Sequence, residues 1–247
     1  MIKTREFPES NYRGIWYRGK TLRIALDPKK PITELEYPEF YDVKITGKCE
    51  GECPWCYMDS KKEDKHFTNI VEKVNNYFGP MSINERPFQV ACGGGNPNEH
   101  PDFIEVLEAF KDLGIEPNYT TNGMGLTDDI LNATKKYCGG VAVSCHPHLE
   151  YHWKKAAWQL SDHGVRLNFH NIISDRKSID DFKNIYDKWK DVVEYFVLLP
   201  YGNQGRAPDK EINWEYLLTK LPENTSQIAF GANFYPYLLA GGHNIKV

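Results

Sequence analysis

Three cysteines stand within eight residues in the segment Gly47-Lys48-Cys49-Glu50-Gly51-Glu52-Cys53-Pro54-Trp55-Cys56-Tyr57-Met58, at spacing C-x3-C-x2-C. Thiolates so spaced on one loop can each bind one iron of a cubane, and a [4Fe–4S] cluster ordinarily takes four cysteine ligands. Three leave one iron with an open position, the feature that separates a reactive metal centre from a structural one. Two readings compete with the cluster. A zinc site calls for a fourth Cys or His, for which His66 is available; the other reading is three structural thiols. The remaining cysteines, Cys92, Cys138 and Cys145, lie in or beside apolar runs. In a reducing compartment, tight cysteine spacing speaks for metal or redox chemistry before disulfides.

Further chemistry-bearing residues follow apolar runs. Gly93-Gly94-Gly95-Asn96-Pro97 closes one run, and glycines there permit either a tight turn or the close approach of a ligand to backbone. Thr120-Thr121-Asn122-Gly123 and Ser144 close two more, and Leu199-Pro200-Tyr201-Gly202 a fourth, with Gly205-Arg206-Ala207 beyond it. Asn168 and His170 alternate along another run, which puts both on one face. Cys145-His146-Pro147-His148 offers a thiol as a hydrogen donor and two imidazoles as acid or base; a buried thiol with surface histidines is the structural alternative.

These residues need a scaffold, and the chain reads as alternating strands and helices. Strand-like runs are expected at 41–46, 88–92, 118–121, 141–145, 165–170 and 195–199. Between them, Phe103, Val106, Leu107, Phe110 and Leu113 recur at helical spacing, as do Trp153, Ala157 and Leu160. Ile179, Phe182, Ile185 and Trp189 form another such face, with Ser178 as its expected cap. Shorter helices are expected at 68–77 and after Thr127. The units return about every 25 residues, which suits βα units on a parallel sheet. The expectation is an α/β fold, an open or partial barrel of six units, with a hairpin over 12–26 turning at Arg18-Gly19-Lys20. A helix over 214–221 and a strand over 226–233 should close it. The divisions expected are an N-terminal hairpin extension over 1–40, the barrel over 41–210 and a closing segment over 211–247, all within one domain.

The cysteine loop, with Trp55 before its last cysteine and following the first strand, resembles the radical S-adenosylmethionine superfamily over roughly residues 41–206. The resemblance implies one [4Fe–4S] cluster on Cys49, Cys53 and Cys56, with S-adenosylmethionine chelated at the open iron. It also implies an external one-electron reductant of the flavodoxin or ferredoxin type. The cofactor pair supplies a 5′-deoxyadenosyl radical that takes hydrogen from a substrate, while the protein orients and excludes. Gly94, Gly95 and Asn96 stand where the family has Gly-Gly-Glu-Pro, whose backbone meets the methionine amino group; Asn96 replaces the acid. Asn122, Ser144, Asn168, His170 and Leu199 fall at strand ends where the family contacts the nucleoside or the methionine. Cys145 and His146 are the candidates for substrate chemistry. No cysteine follows Cys145, so one cluster is expected. The substrate class stays open between a small metabolite or nucleotide and a glycyl or peptide site of a protein. Alternatives to the enzyme are a zinc-binding interaction domain and a catalytically silent relative.

Composition sets the remaining bounds. The 247 residues are 40% hydrophobic and 26% charged with net charge −4, enough for a full core and without a general pull toward nucleic acid. No apolar run approaches the roughly 18 residues of a membrane span, and Met1-Ile2-Lys3-Thr4-Arg5-Glu6 leads into no signal-like apolar stretch. A cytoplasmic location is the expectation.

Overall fold

The computed structural model describes residues 2–220 and 226–240. Strands β1 (Lys3–Phe7), β2 (Tyr12–Tyr17) and β3 (Lys20–Ala25) form an antiparallel sheet, with Arg18 and Gly19 both at positive φ in the β2–β3 turn. Two residues at positive φ match the twist of a two-residue hairpin. The expected hairpin is present, but β1 was not anticipated. Its inward face carries Arg5, 2% exposed, where a strand pattern leads one to look for an apolar residue. The guanidinium lies in a cage of carbonyls, donating to those of Tyr37, Pro38 and Asn84 at 2.6–2.9 Å. Buried charge is tolerable only with its hydrogen bonds filled, and these tie the antiparallel sheet to the main body.

The main sheet has seven strands in the order β10-β9-β8-β7-β6-β5-β4, all parallel, with β4 and β10 as open edges. Its units run β4 (Phe40–Thr46), α1 (Ile70–Phe78), β5 (Gln89–Gly94), α2 (Phe103–Asp112), β6 (Glu116–Thr121), α3 (Asp128–Tyr137), β7 (Val141–Ser144), α4 (Glu150–Asp162), β8 (Leu167–Ile173), α5 (Arg176–Trp189), β9 (Tyr195–Pro200) and α6 (Trp214–Leu218). The expected end of α6, Leu221, lies outside the described residues. The strand expected over 226–233 is only Ile228–Phe230 (β10), because the chain turns at Gly231 into a short 3-10 turn and α7 (Tyr235–Ala240). The cap of α5 is Asp175 rather than Ser178. Asp175 accepts from the Ser178 N–H at 2.8 Å while Ser178 Oγ accepts from the Asp175 N–H at 3.1 Å, a reciprocal capping box.

Strand alternation divides the residues cleanly. Val90, Cys92, Tyr119, Val141, Val143, Phe169, Phe196 and Leu198 face the helices and are buried against Phe103, Val106, Leu107 and Phe110 of α2, Trp153 of α4 and Phe182 of α5. Burying each large apolar side chain contributes roughly 1.5–3 kcal/mol. The other face carries Gln89, Gly93, Asn118, Thr120, Ser144, Asn168 and His170, all half-buried. A sheet face this polar and only half-buried can line a ligand chamber and is not a second core.

Candidate active site

The cysteine loop leaves β4 at its C-terminal end, where ligands of parallel sheets gather. It is folded back on itself by Gly47 N–H to the Lys65 carbonyl (3.1 Å), Cys49 N–H to Lys61 (3.0 Å) and Cys56 N–H to Cys53 (3.2 Å). Gly95 and Asn96 fasten the next strand to it. Gly95 N–H donates to Thr46 (2.8 Å), and Asn96 N–H to Lys48 (3.0 Å). A Cβ on Gly94 would stand 2.2 Å from the Thr46 oxygen, and one on Gly95 would stand 1.9 Å from that of Lys48. Gly93 differs: a Cβ there meets nothing within 4 Å, and alternation points it into the chamber. Gly94 and Gly95 thus close on the cysteine loop, while Gly93 leaves the open space.

From the opposite side of the sheet, Arg206 clamps the same loop. Its Nε donates to the Cys53 carbonyl (2.7 Å), its N–H bonds the Cys56 carbonyl (3.2 Å), and its guanidinium pairs with Asp59 at 3.4 Å. Gly205, at φ 63°, lies so close that a Cβ would approach the Cys56 and Tyr57 oxygens to 2.4 and 2.5 Å. The Gly205-Arg206 turn beyond β9 thus lies on the cysteine loop.

Three free thiols on one loop are a soft donor set that fits the irons of a cluster. Burial pushes the Cys53 thiol up to about 12 and raises Cys49 as well, against which the Gly51 backbone N–H and the Asn122 amide act in the opposite direction. Such thiols ionise when a metal's positive charge sits on them. Among the described residues no three His, Cys, Asp or Glu side chains gather around one ion position. A cubane holds each thiolate on a separate iron and so spreads them. His66 is committed elsewhere, its Nδ1 2.9 Å from Thr46 Oγ1 and its ring edge-on to His100.

Asn96 does not present its side chain to the chamber. It is 2% exposed, its Oδ1 accepts from Thr121 Oγ1 (3.1 Å) and the Asn122 N–H (3.3 Å), and its Nδ2 donates to Glu99 Oε1 (2.9 Å) and the Met124 carbonyl (3.2 Å). With acceptors on one side and donors on the other, an amide fits where a carboxylate does not. Glu99, not singled out in the sequence, brings the negative charge instead, and accepts from the Glu50 N–H of the cysteine loop at 3.3–3.4 Å.

Ser144 and His170 are paired in register on β7 and β8, and Asn168 lies one inward position below His170. Asn168 Oδ1 is buried without a hydrogen-bond partner, an acceptor left for a ligand. Leu199 lies on the inward face of β9, level with Ile172. Trp55 packs edge-on to His146 (5.8 Å) and His148 (5.2 Å), and His148 Nε2 donates to the Gly51 carbonyl at 3.0 Å. Burial pushes His146 down to about 4, helped by His148 and His170, and pushes His170 to about 4 by itself. Both are neutral near pH 7. Cys145 lines the same cavity as Trp55 and His146. It follows Val141 and Val143 on the helix-facing side, buried in the core with its thiol toward the Val143 carbonyl (3.8 Å), and burial raises it further. A cavity of about 720 Å³ runs outward from Trp55 and His146 between α4 and α5, past Asn171, Trp153, Lys188 and Tyr201.

Residues 43–203 match the family model described as the radical SAM superfamily. A probable GTP 3′,8-cyclase of Saccharolobus solfataricus is 30% identical over 92 residues, 35% of this chain and 28% of its own length. Streptococcus suis SuiB bound to S-adenosylmethionine superposes with a TM-score of 0.62 at 14% identity, over 85% of this chain and 49% of that one. The structure of anSMEcpe with bound AdoMet and Cp18Cys peptide gives 0.58 at 14% identity, over 84% and 62%. At such identities these two structures share the fold, an open parallel α/β barrel, and this chain spans about half to three-fifths of their length.

Proposed function

Because the chain belongs to the radical SAM superfamily, we propose that it holds one [4Fe–4S] cluster on Cys49, Cys53 and Cys56, binds S-adenosylmethionine beside it, and takes hydrogen from a substrate C–H bond. The observation that carries the reading is the meeting, at one end of the sheet, of three loop thiols with a polar chamber whose floor is left open at Gly93. When bound, the pair supplies an open iron and, with one electron from a flavodoxin- or ferredoxin-type donor, a 5′-deoxyadenosyl radical.

The protein's part is positioning. Thr46, Lys48 and Arg206 fix the thiol-bearing loop through backbone carbonyls and a guanidinium. Asn168 Oδ1 is the unmet acceptor for a ligand hydroxyl or ammonium, and Ser144 lies on the same face. Neutral His146 and His170 add no cation to the chamber, which leaves it open to a sulfonium. Trp55, packed on His146 and His148, joins the cysteine loop to the cavity wall. Cys145, largely buried but lining the cavity beside His146, is the thiol available for hydrogen return to a substrate. The cavity beyond Trp55 is the route for substrate, whose class we leave between a nucleotide and a peptide, the two kinds named among the relatives.

The test is anaerobic reconstitution followed by iron and sulfide analysis, then incubation with a strong reductant, S-adenosylmethionine and fractionated host extract. Broad absorption near 400 nm (about, for a cubane) and 5′-deoxyadenosine that rises with one fraction are expected. Oxygen-protected protein that carries zinc, or an intact cluster that yields no 5′-deoxyadenosine, defeats the reading.

A further inference from the structure

The amide of Asn122 is the one side-chain hydrogen-bond donor that reaches a loop sulfur among the described residues, and its orientation is fixed. Asn122 is 7% exposed. Its Oδ1 accepts from the Met124 N–H at 2.9 Å, so the other end of the amide must be the NH2, and that end lies 3.5 Å from Cys49 Sγ. Its backbone is pinned too, the N–H donating to Asn96 Oδ1. Flipping the amide would set two acceptors against each other at one end and waste the donor at the other.

The cysteine loop makes room for this contact. A Cβ on Gly51 would stand 2.6 Å from Asn122 Nδ2, 3.2 Å from Leu149 and 3.4 Å from Cys49 Sγ. Gly51 is not at positive φ, so its lack of a side chain is not required by its backbone angles. Its smallness serves the space that Asn122 occupies. Two residues far apart in sequence are thus matched, a glycine on the thiol loop and an amide at the end of β6. A hydrogen bond to a cluster sulfur stabilises the reduced, more negative state, and such bonds set potentials in iron–sulfur proteins.

Building on the cluster assignment above, we propose that Asn122 is a positioning and tuning residue, whose N–H to the Cys49 sulfur raises the reduction potential of the cluster and eases its one-electron reduction. The same contact aims the Cys49 thiolate at its iron. Glu99 and Asn96 act behind it, by holding Asn122 and the loop in one frame.

The experiment is a redox titration of reconstituted wild type, Asn122→Leu and Gly51→Ala, with iron and sulfide measured in each. Leu keeps the bulk and removes the donor; Ala at 51 displaces the donor and keeps it. Both variants should show a lower midpoint potential at unchanged iron content. The reduced-to-oxidised ratio at a fixed poise should fall about tenfold, or about 59 mV for one electron. An exchangeable-proton coupling in the EPR spectrum of the reduced cluster should be present in wild type and lost in Asn122→Leu. Midpoints equal to wild type, with the cluster intact, overturn the proposal. If Asn122→Leu takes up no iron, the Gly51→Ala midpoint decides alone. Wild type that binds zinc, by contrast, defeats the cluster assignment itself and is told apart by metal analysis before any titration.

Discussion

Adjacent glycines in the triplet should respond to the same substitution in opposite ways. In Gly95→Ala the new methyl would lie 1.9 Å from the Lys48 carbonyl oxygen and 2.5 Å from its carbon, backbone atoms that cannot swing aside. Relief requires parting β5 from the cysteine loop, which breaks Gly95 N–H to Thr46 (2.8 Å) and Asn96 N–H to Lys48 (3.0 Å). Two buried backbone bonds left unmade cost roughly 2–4 kcal/mol. In a chain of this length that lowers Tm by roughly 5–15 °C. In Gly93→Ala the methyl meets nothing within 4 Å, and the residue is not among the glycines at positive φ. Stability should change by less than about 1 kcal/mol, with the sign favourable because the unfolded chain loses freedom. The methyl does enter the chamber, so S-adenosylmethionine should bind about tenfold more weakly, a loss of about 1.4 kcal/mol. Thermal melts of the metal-free proteins and equilibrium dialysis of the reconstituted ones read the two effects separately. The reasoning fails if Gly95→Ala melts with wild type, or if Gly93→Ala binds the cofactor undiminished.

Other outcomes follow from the same geometry. Cys53→Ala should lose iron and 5′-deoxyadenosine formation together, whereas Cys138→Ala, half-buried against the core, should keep both at about 1 kcal/mol of lost packing; an iron-free Cys138 variant with an iron-replete Cys53 variant refutes the ligand assignment. His146 and His170 have folded pKa values of about 4 against an unfolded value near 6.5. The unfolded chain therefore binds protons that the folded one refuses, so the stability they contribute is full above about pH 6.5 and is lost as pH falls toward 4. The loss is up to about 3 kcal/mol for each. Urea midpoints of wild type should drop steeply between pH 7 and 5, and the slope should flatten in His146→Gln/His170→Gln; parallel slopes contradict the burial argument.

Much of this was legible in the residues, for identifiable reasons. The six βα units follow from apolar periodicity, and alternation alone put Asn168 and His170 on one face. The same alternation, carried from Val141 and Val143, sends Cys145 to the helix side, where it also lines the cavity next to His146. Strand β1 was hidden because its inward residue is Arg5, whose carbonyl partners come from residues 37, 38 and 84 and exist only in the folded chain. The cysteine loop, the proposed ligand set, could be read from spacing. Its supports could not, since Arg206, Asn122 and Glu99 reach the loop from separate strand ends that only the assembled sheet brings together.

Asn96 is the sharpest case, because a departure from a family pattern looks like decay until its neighbours are counted. An acid at 96 would place one carboxylate oxygen where Nδ2 now stands, 2.9 Å from Glu99 Oε1 and 3.2 Å from the Met124 carbonyl. Both neighbours are acceptors, and the site is buried, so two donated bonds become two repulsions and one of them is between like charges. Asn96→Glu adds a methylene besides, in a position only 2% exposed. Asn96→Asp is the cleaner probe: the shape is kept and only the donor is lost. It should destabilise the metal-free protein by about 3 kcal/mol, and Glu99→Gln should restore most of that, because the glutamine amide can donate to the new carboxylate. The double-mutant cycle isolates the pair, and a coupling near zero would mean that Glu99 is not what dictates an amide at 96. A large coupling makes residues 96 and 99 a single unit in which the acid has moved three positions along the chain, with its charge now bonded to the Glu50 N–H of the loop that carries the thiols.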